Sequence, residues 1–472
     1  MLFETIISSK IMQLYNSLTK KKEGFVPLVK GKVGMYHCGP TVYDHVHIGN
    51  LRSFMMGDFI RRAFEYQGYI VTQVMNITDV GHLVSDGDDG DDKMTKALKR
   101  EEKEVTLENM IAVADVYADS FKQDLRNLNV IMPHYFPKAS DHIAEDIDII
   151  SKLESKGFTY TTSDGIYFKT TEMADYGKLG GLNLDAETET RIGINNEKRH
   201  QADFALWKFD TSQGWESPWG QGFPGWHIEC SGMAKKYLGD QFDIHTGGAD
   251  LRSVHHNNEI AQSECSSGSI PYVSYWMHGE MLNFGGEKLS KSTGGNITLK
   301  VLTEKNINPL AYRYLAMQTH YRSPMNFTWE VLESAQQGLN KIYREIIALQ
   351  KHTKNDLGRI EQSFKDEFEA KIYDDINIPQ ALAVFHTMMK SDISAKSKLA
   401  TAYDFDQILG LGLSEYTAEI IDIPENIKVL LELRKIARIE KDWATSDKIR
   451  DQISDLGFKV LDISNEQKVE KI

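Results

Sequence analysis

Four side chains far apart in the chain, Cys38, Cys230, His255 and Glu259, are of kinds that ligate metal ions. His255 and Glu259 stand four apart in a stretch from Val254 to Cys265 that reads as a helix, so both leave one face. Two thiolates, an imidazole and a carboxylate can make a tetrahedral zinc set. The alternatives stay open at this level: cysteines are often small buried hydrophobes, and His256 could replace His255. A second constellation suits phosphate. Tyr36-His-Cys-Gly-Pro-Thr-Val-Tyr-Asp-His-Val-His-Ile-Gly-Asn-Leu-Arg52 carries imidazoles at His45 and His47 and glycines at Gly39 and Gly49. Lys288-Leu-Ser-Lys-Ser292, flanked by Gly285, Gly286, Gly294 and Gly295, sets two lysines three apart on a hinged loop. Such lysines can swing onto a polyphosphate and neutralise developing charge, although a solvated loop has the same composition. The acidic run Asp86-Gly-Asp-Asp-Gly-Asp-Asp92 fails as a calcium loop, with Gly90 and Ala97 where oxygen ligands are needed.

The surrounding pattern supplies elements to hold these groups. Val33 to His37 is β-prone, and Leu51, Phe54, Met55, Phe59, Ile60, Ala63 and Phe64 recur at helical spacing until Gly68. Ile70 to Met75 reads as a buried strand, which makes the stretch around His47 the first turn of a βαβ unit. There a helix start aims its unpaired N–H groups at whatever binds above the sheet. Cys38 then ends the first strand, and Cys230 is expected to end the segment before the next one. Further strands are expected at Phe242 to Thr246 and Tyr272 to His278. A helix from Leu107 to Asn129, another from His142 to Lys156 and a hairpin from Thr159 to Lys169 interrupt the series. From Leu299 onward the pattern is almost wholly helical, with a short turn or strand at Gly410 to Leu413 and at Phe458 to Ile463.

At 472 residues, 41% hydrophobic and 26% charged, the composition is that of a globular protein of several domains. A net charge of −14 argues against a general nucleic-acid binder but leaves room for a local basic groove. Three scattered cysteines form no disulfide framework, and no run of eighteen apolar residues or signal peptide occurs, so a cytoplasmic protein is expected.

Taken together, the histidine-glycine helix start, the interrupted βαβ series and the Lys-Leu-Ser-Lys-Ser loop resemble class I aminoacyl-tRNA synthetases. Pro224-Gly-Trp-His-Ile-Glu-Cys230, Phe242-Asp-Ile-His245, Asn258-Glu-Ile-Ala-Gln-Ser263, Tyr275-Trp-Met-His278, His320-Tyr-Arg-Ser323 and Lys441-Asp-Trp-Ala444 narrow the resemblance to the cysteinyl-tRNA synthetase family. It runs from about residue 8 to about residue 463. It implies an α/β fold: a Rossmann-type parallel-sheet catalytic domain with an inserted α+β subdomain, followed by an all-helical C-terminal region. The implied division is a catalytic first half at 1–109, a connective insertion at 110–205, and a second catalytic half with the signature loop at 206–298. A stem-contact and helical bundle region at 299–400 and an anticodon-binding region at 401–472 follow.

The resemblance further implies that Cys38, Cys230, His255 and Glu259 hold one Zn²⁺ that binds the substrate thiol. Gly39, Thr78, Trp226 and Asp250 would surround the amino acid. Thr41, His47, Gly49, Asn50 and Lys291 would face ATP, which enters with Mg²⁺, and His47, Asn50, Lys288 and Lys291 would carry the catalysis. The partners implied are L-cysteine, ATP and tRNA(Cys), with no membrane, for a monomer. Asn50 departs from the family by replacing the usual final histidine of the signature, which predicts a slower activation step because an amide cannot carry charge. Two rivals share the motifs. A cysteine ligase of the mycothiol-pathway type lacks the C-terminal tRNA-binding region, whereas this chain has a long helical tail with Arg434, Lys435, Arg438 and Lys441. A catalytically weakened synthetase-like tRNA-binding protein would need neither the zinc set nor both lysines.

Overall fold

A computed structural model describes residues 11–80, 93–180, 197–285, 287–288, 297–416, 424–463 and 466–471. The chain divides into two compact units, Met1–Leu413 and Ser414–Ile472. In the first, the strands β1 (Lys32–His37), β2 (Ile70–Met75), β3 (Phe242–Gly248) and β4 (Val273–Gly279) pair in the order β4-β3-β1-β2, all parallel. Beyond their first residues these strands are mostly buried on both faces, as parallel strands between helices are. Helix α1 (Ile48–Tyr66) links β1 to β2. It starts where His47, in extended conformation, caps it, and its chain turns away at Gly68, whose φ of +92° suits glycine.

Two further helices, α2 (Trp226–Leu238) and α3 (His255–Ser267), precede β3 and β4. Each lies between two apolar cores. Cys230, Met233 and Ala234 of α2 and Ile260 of α3 join the core of the parallel sheet around Tyr36, Val74 and Trp276. Ile228 and Ala261, on the other faces, join a second core with Ile150, Phe168, Phe204 and Trp207. That second core belongs to an antiparallel sheet of Thr159–Thr162, Gly165–Phe168, Phe204–Phe209 and Gly222–Pro224. A boundary at 205 therefore falls inside the third of these strands. Being covered on both sides explains why the polar stretch His255 to Gln262 is buried throughout. Helices at Leu107–Asn127 and Ile143–Ser155, and later at Pro309–Ala316, Trp329–Thr353, Gln362–Ile372, Ile378–Lys390 and Ala395–Leu409, belong to the same unit.

A buried ion cluster ties α1 to these helices. Asp58 accepts from Arg62 Nε at 2.8 Å and meets Arg313 Nη2 at 2.7 Å, while Arg313 donates to the carbonyls of Leu409 and Leu128. The second unit, taken by itself, holds helices Glu425–Ile439 and Trp443–Asp455 and a hairpin of Phe458–Ile463 with Glu466–Lys471. Its core is Ile427, Ile449, Ile453, Phe458 and Val460.

Two expectations change. Cys230 does not end a segment but lies inside α2. The aromatic and β-branched start of that helix has low helix propensity, and tertiary packing on both faces overrides it. The end of the chain is a hairpin whose second strand, Glu466–Lys471, is too charged to read as β. Among the described residues, no helix is long and apolar enough to cross a membrane.

Candidate active site and metal centre

The carboxyl ends of β1, β3 and β4 and the start of α1 enclose a cavity of about 370 Å³. Open parallel sheets bind ligands at this edge. Gly39, Thr41, His47, Gly49, Asn50, Trp226 and Asp250 line it, with Glu280 to Leu282 on another wall and Cys38 at the floor. Gly39 must be glycine, because a Cβ there would sit 1.7 Å from the Asn76 carbonyl oxygen. Its N–H donates to Asn76 Oδ1 at 2.7 Å, which turns the chain sharply out of β1. Thr78 is buried behind Thr41, to which its backbone bridges, and its hydroxyl donates to Glu229 Oε2 at 3.3 Å. Lys291 lies outside the described residues. Lys288 falls in a short strand, Glu287–Lys288, paired with Leu282–Phe284.

At the floor, one ligand atom each from Cys38, Cys230, His255 and Glu259 lie within 4.8 Å of one another, all buried. A second set, Cys38, His245, His256 and Glu259, meets the same distance limit, so the structure leaves both histidines of the 255–256 pair at the centre. Four elements deliver these atoms: the end of β1, the middle of α2, the first turns of α3 and, for His245, β3. Glu259 Oε1 lies 3.1 Å from His255 Nε2, and Oε2 lies 2.9 Å from His245 Nε2. Cys38 Sγ is 3.7 Å from Glu259 Oε1 and 3.4 Å from His256 Nε2.

Behind this group stand further histidines that spacing alone does not mark as ligands. His227 Nδ1 is 2.9 Å from His255 Nδ1, and His256 Nδ1 is 2.8 Å from His278 Nε2, which in turn reaches Ser17 through Nδ1. His245 stacks on Trp276 with ring centroids 4.5 Å apart. The signal available in sequence was a histidine ending each of two apolar strand runs, Phe242 to His245 and Tyr275 to His278.

Electrostatics separate these groups into charged and neutral sets. Burial raises Glu259, but His245 and His255 outweigh it and hold the carboxyl at about 2. Burial lowers His255, yet the Cys230 sulfur and Glu259 lift it to about 10. Burial pushes the Cys38 thiol up, and its hydrogen bond onto Cys230 holds the Cys230 thiol down. Burial drives His227 and His256 well below the usual imidazole range, so both are neutral. A thiolate, a carboxylate and an imidazolium, enclosed in apolar protein, form an anionic pocket in which a divalent cation can replace the His255 proton. The donor set and its outer partners fit zinc.

Residues 24–337 match the family of tRNA synthetases class I (C) catalytic domain. The chain is 44% identical over 465 residues to cysteine--tRNA ligase 1 of Burkholderia lata, covering 97% of this chain and 96% of that one. It is 39% identical over 473 residues to the cysteine--tRNA ligase of Thermus thermophilus, covering 95% and 97%. Among solved structures, methionyl-tRNA synthetase of Mycobacterium tuberculosis in complex with methionyl-adenylate shares the fold, with a TM-score of 0.57 at 13% identity. That match covers 80% of this chain and 90% of the other.

Proposed function

Because the chain belongs to the class I tRNA synthetases of the cysteine type, and is thus a cysteine--tRNA ligase, we propose that it joins cysteine to tRNA(Cys) in two steps driven by ATP. The convergence of two thiols, His255 and Glu259 on the floor of a cleft opening at the start of α1 carries this reading. In the first step the cysteine carboxylate attacks the α-phosphate of ATP, and pyrophosphate leaves with its Mg²⁺. In the second, the terminal ribose hydroxyl of the tRNA attacks the adenylate carbonyl, and AMP leaves. No side chain need act as nucleophile. Alignment and charge stabilisation supply the rate.

The start of α1 presents backbone N–H groups, and His47 and Asn50 line the cleft beside them. The Asn50 backbone N–H donates to His47 Nδ1 at 3.3 Å, which leaves Nε2 as the protonated ring nitrogen and a donor. Lys288 and Lys291 bring positive charge to the departing pyrophosphate. Gly39, Trp226 and Asp250 border the amino acid, and Thr78 supports that wall through Thr41. Cys38, Cys230, His255 and Glu259 hold Zn²⁺, which when bound is a Lewis acid selective for a thiolate over a hydroxyl. A serine hydroxyl holds its proton far more tightly than a thiol of pKa near 8.5. The enzyme acts as a cytoplasmic monomer. Residues 1–109 and 206–298 carry the catalysis, 110–205 form the connective insertion, 299–400 meet the tRNA stem, and the region after 400 meets the anticodon.

Pyrophosphate exchange and tRNA charging, each run with cysteine and with serine, test the proposal. Both reactions should depend on cysteine and ignore serine. Exchange without charging would favour the amino-sugar ligase, and neither activity would overturn the enzymatic reading.

A further inference from the structure

We propose that Arg52 is a positioning residue that sets the width of the cleft, holding the Glu280–Leu282 wall against the start of α1. The inference rests on the reading of the cleft as the ATP site. Arg52 lies on the first turns of α1, two residues beyond Asn50, and is only 6% exposed. Its guanidinium meets four carbonyl oxygens and no carboxylate among the described residues. Nη1 donates to Glu280 at 2.5 Å and Met281 at 2.9 Å, and Nη2 donates to His320 at 3.3 Å and Ser323 at 2.6 Å. Burial lowers its pKa from the ordinary guanidinium value, with Tyr312 and Glu280 acting against that shift.

The two segments that Arg52 gathers also bond to each other. Glu280 N donates to the Tyr321 carbonyl at 2.7 Å, Met325 N donates to Met281 at 3.1 Å, and Leu282 pairs with Met325. Glu280, Met281 and Leu282 line the same cleft as His47 and Asn50. The strand Leu282–Phe284 leads from that wall toward Lys288. On the far side of the signature segment the chain returns to the same helix start. His47 bridges Thr298, and Ile48 N donates to the Ile297 carbonyl at 2.9 Å. Backbone bonds therefore fix the returning segment, whereas among the described residues the hydrogen bonds that hold the leaving segment to α1 come from one side chain, Arg52. A planar fork with several donors reaches four carbonyls at once, which a lysine ammonium on its flexible stem cannot reproduce.

The metal centre draws on β1, α2, α3 and His245 of β3, and among the described residues Arg52 makes no hydrogen bond to it, so a change at Arg52 acts first on the Glu280–Leu282 wall. The experiment is steady-state pyrophosphate exchange on the full-length, zinc-loaded enzyme, varying ATP and cysteine separately, for wild type, Arg52→Lys and Arg52→Ala. Arg52→Lys should raise the KM for ATP by on the order of 10-fold or more, since a misplaced wall near the reacting groups can cost up to about 100-fold. The KM for cysteine and the bound zinc should stay unchanged. Added guanidinium should partly restore the ATP KM of Arg52→Ala. An unchanged ATP KM in Arg52→Lys would overturn the inference. So would equal rises in both KM values alongside a lower unfolding temperature, which would make Arg52 a folding residue only. Wild-type enzyme lacking cysteine-dependent exchange would instead defeat the functional reading on which the inference stands.

Discussion

Replacing His227 by phenylalanine should weaken zinc binding without touching a ligand. His227 Nδ1 and His255 Nδ1 are 2.9 Å apart, and the His227 ring packs on Trp226 at 5.3 Å and Phe204 at 5.7 Å. Burial, reinforced by His255, keeps His227 neutral. It can therefore accept the Nδ1–H of His255, which turns the His255 Nε2 lone pair toward Glu259 and the two sulfurs. Phenylalanine preserves the ring and its apolar contacts but removes the acceptor. The His255 N–H is then left unpaired in a buried site, at about 1–3 kcal/mol. Loss of an outer-shell partner costs about 10–100-fold in metal affinity, which is about 1.4–2.8 kcal/mol at 1.4 kcal/mol per tenfold, so two independent estimates agree. Competition with a chromophoric chelator measures the affinity, and thermal unfolding of the metal-free protein serves as the control. Unchanged zinc affinity with a lower unfolding temperature would refute the role and leave His227 a packing residue.

Asp58→Asn should cost about 3–5 kcal/mol by leaving Arg313 and Arg62 buried without their anion. Although burial raises the Asp58 carboxyl, Arg62 and Arg313 bring it below the ordinary range, so its stabilisation is complete above about pH 4 and fades as pH falls through the lower folded value. Chemical unfolding across acid pH should find that the variant has lost this part of the pH dependence, and equal slopes would count against the pairing. Truncation after Leu413 should spare cysteine-dependent exchange and abolish efficient charging. Cutting nearer residue 400 would remove Phe405, Ile408 and Leu409, which are fully buried in the first unit, so there both activities should fall together. Asn50→His should hold or raise the exchange rate, and a large loss would show a site built around the amide.

What could be read from sequence divides along physical lines. The parallel strands and α1 were legible because buried strands are short apolar runs and α1 carries a clean helical stripe closed by Gly68. Residue type and the spacing of His255 and Glu259 put Cys38, Cys230, His255 and Glu259 forward as one candidate set, and the resemblance favoured it over alternatives, since nothing in spacing links residue 38 to residue 230. Helix α2 was hidden because its first residues are aromatic and β-branched, and its stability comes from packing on both faces. The outer histidines were hidden for a related reason. A histidine ending an apolar strand looks the same in sequence whether it is a satisfied core residue or the partner of a ligand. Arg52 was visible as a letter within the signature stretch, but its four carbonyl partners come from residues 280–281 and 320–323, which only tertiary structure brings near it.

The hydrogen bond at the start of α1 bears on why asparagine can stand at position 50. A backbone N–H can only donate, so the bond from Asn50 N fixes His47 Nδ1 as an acceptor and places the ring proton on Nε2. A doubly protonated ring would have no acceptor at Nδ1 and would lose the cap. At this helix start a His47 ring that accepts the cap is neutral, alongside backbone N–H groups that also carry no net charge. An amide at position 50 continues that pattern, because its NH₂ donates without a charge and the residue is exposed at the cleft, where it can turn toward a phosphate oxygen. On the proposed function, full positive charge at this site then falls to Lys288 and Lys291. Replacing histidine by asparagine removes a group that can take up a proton from a site whose neighbouring imidazole already serves without one.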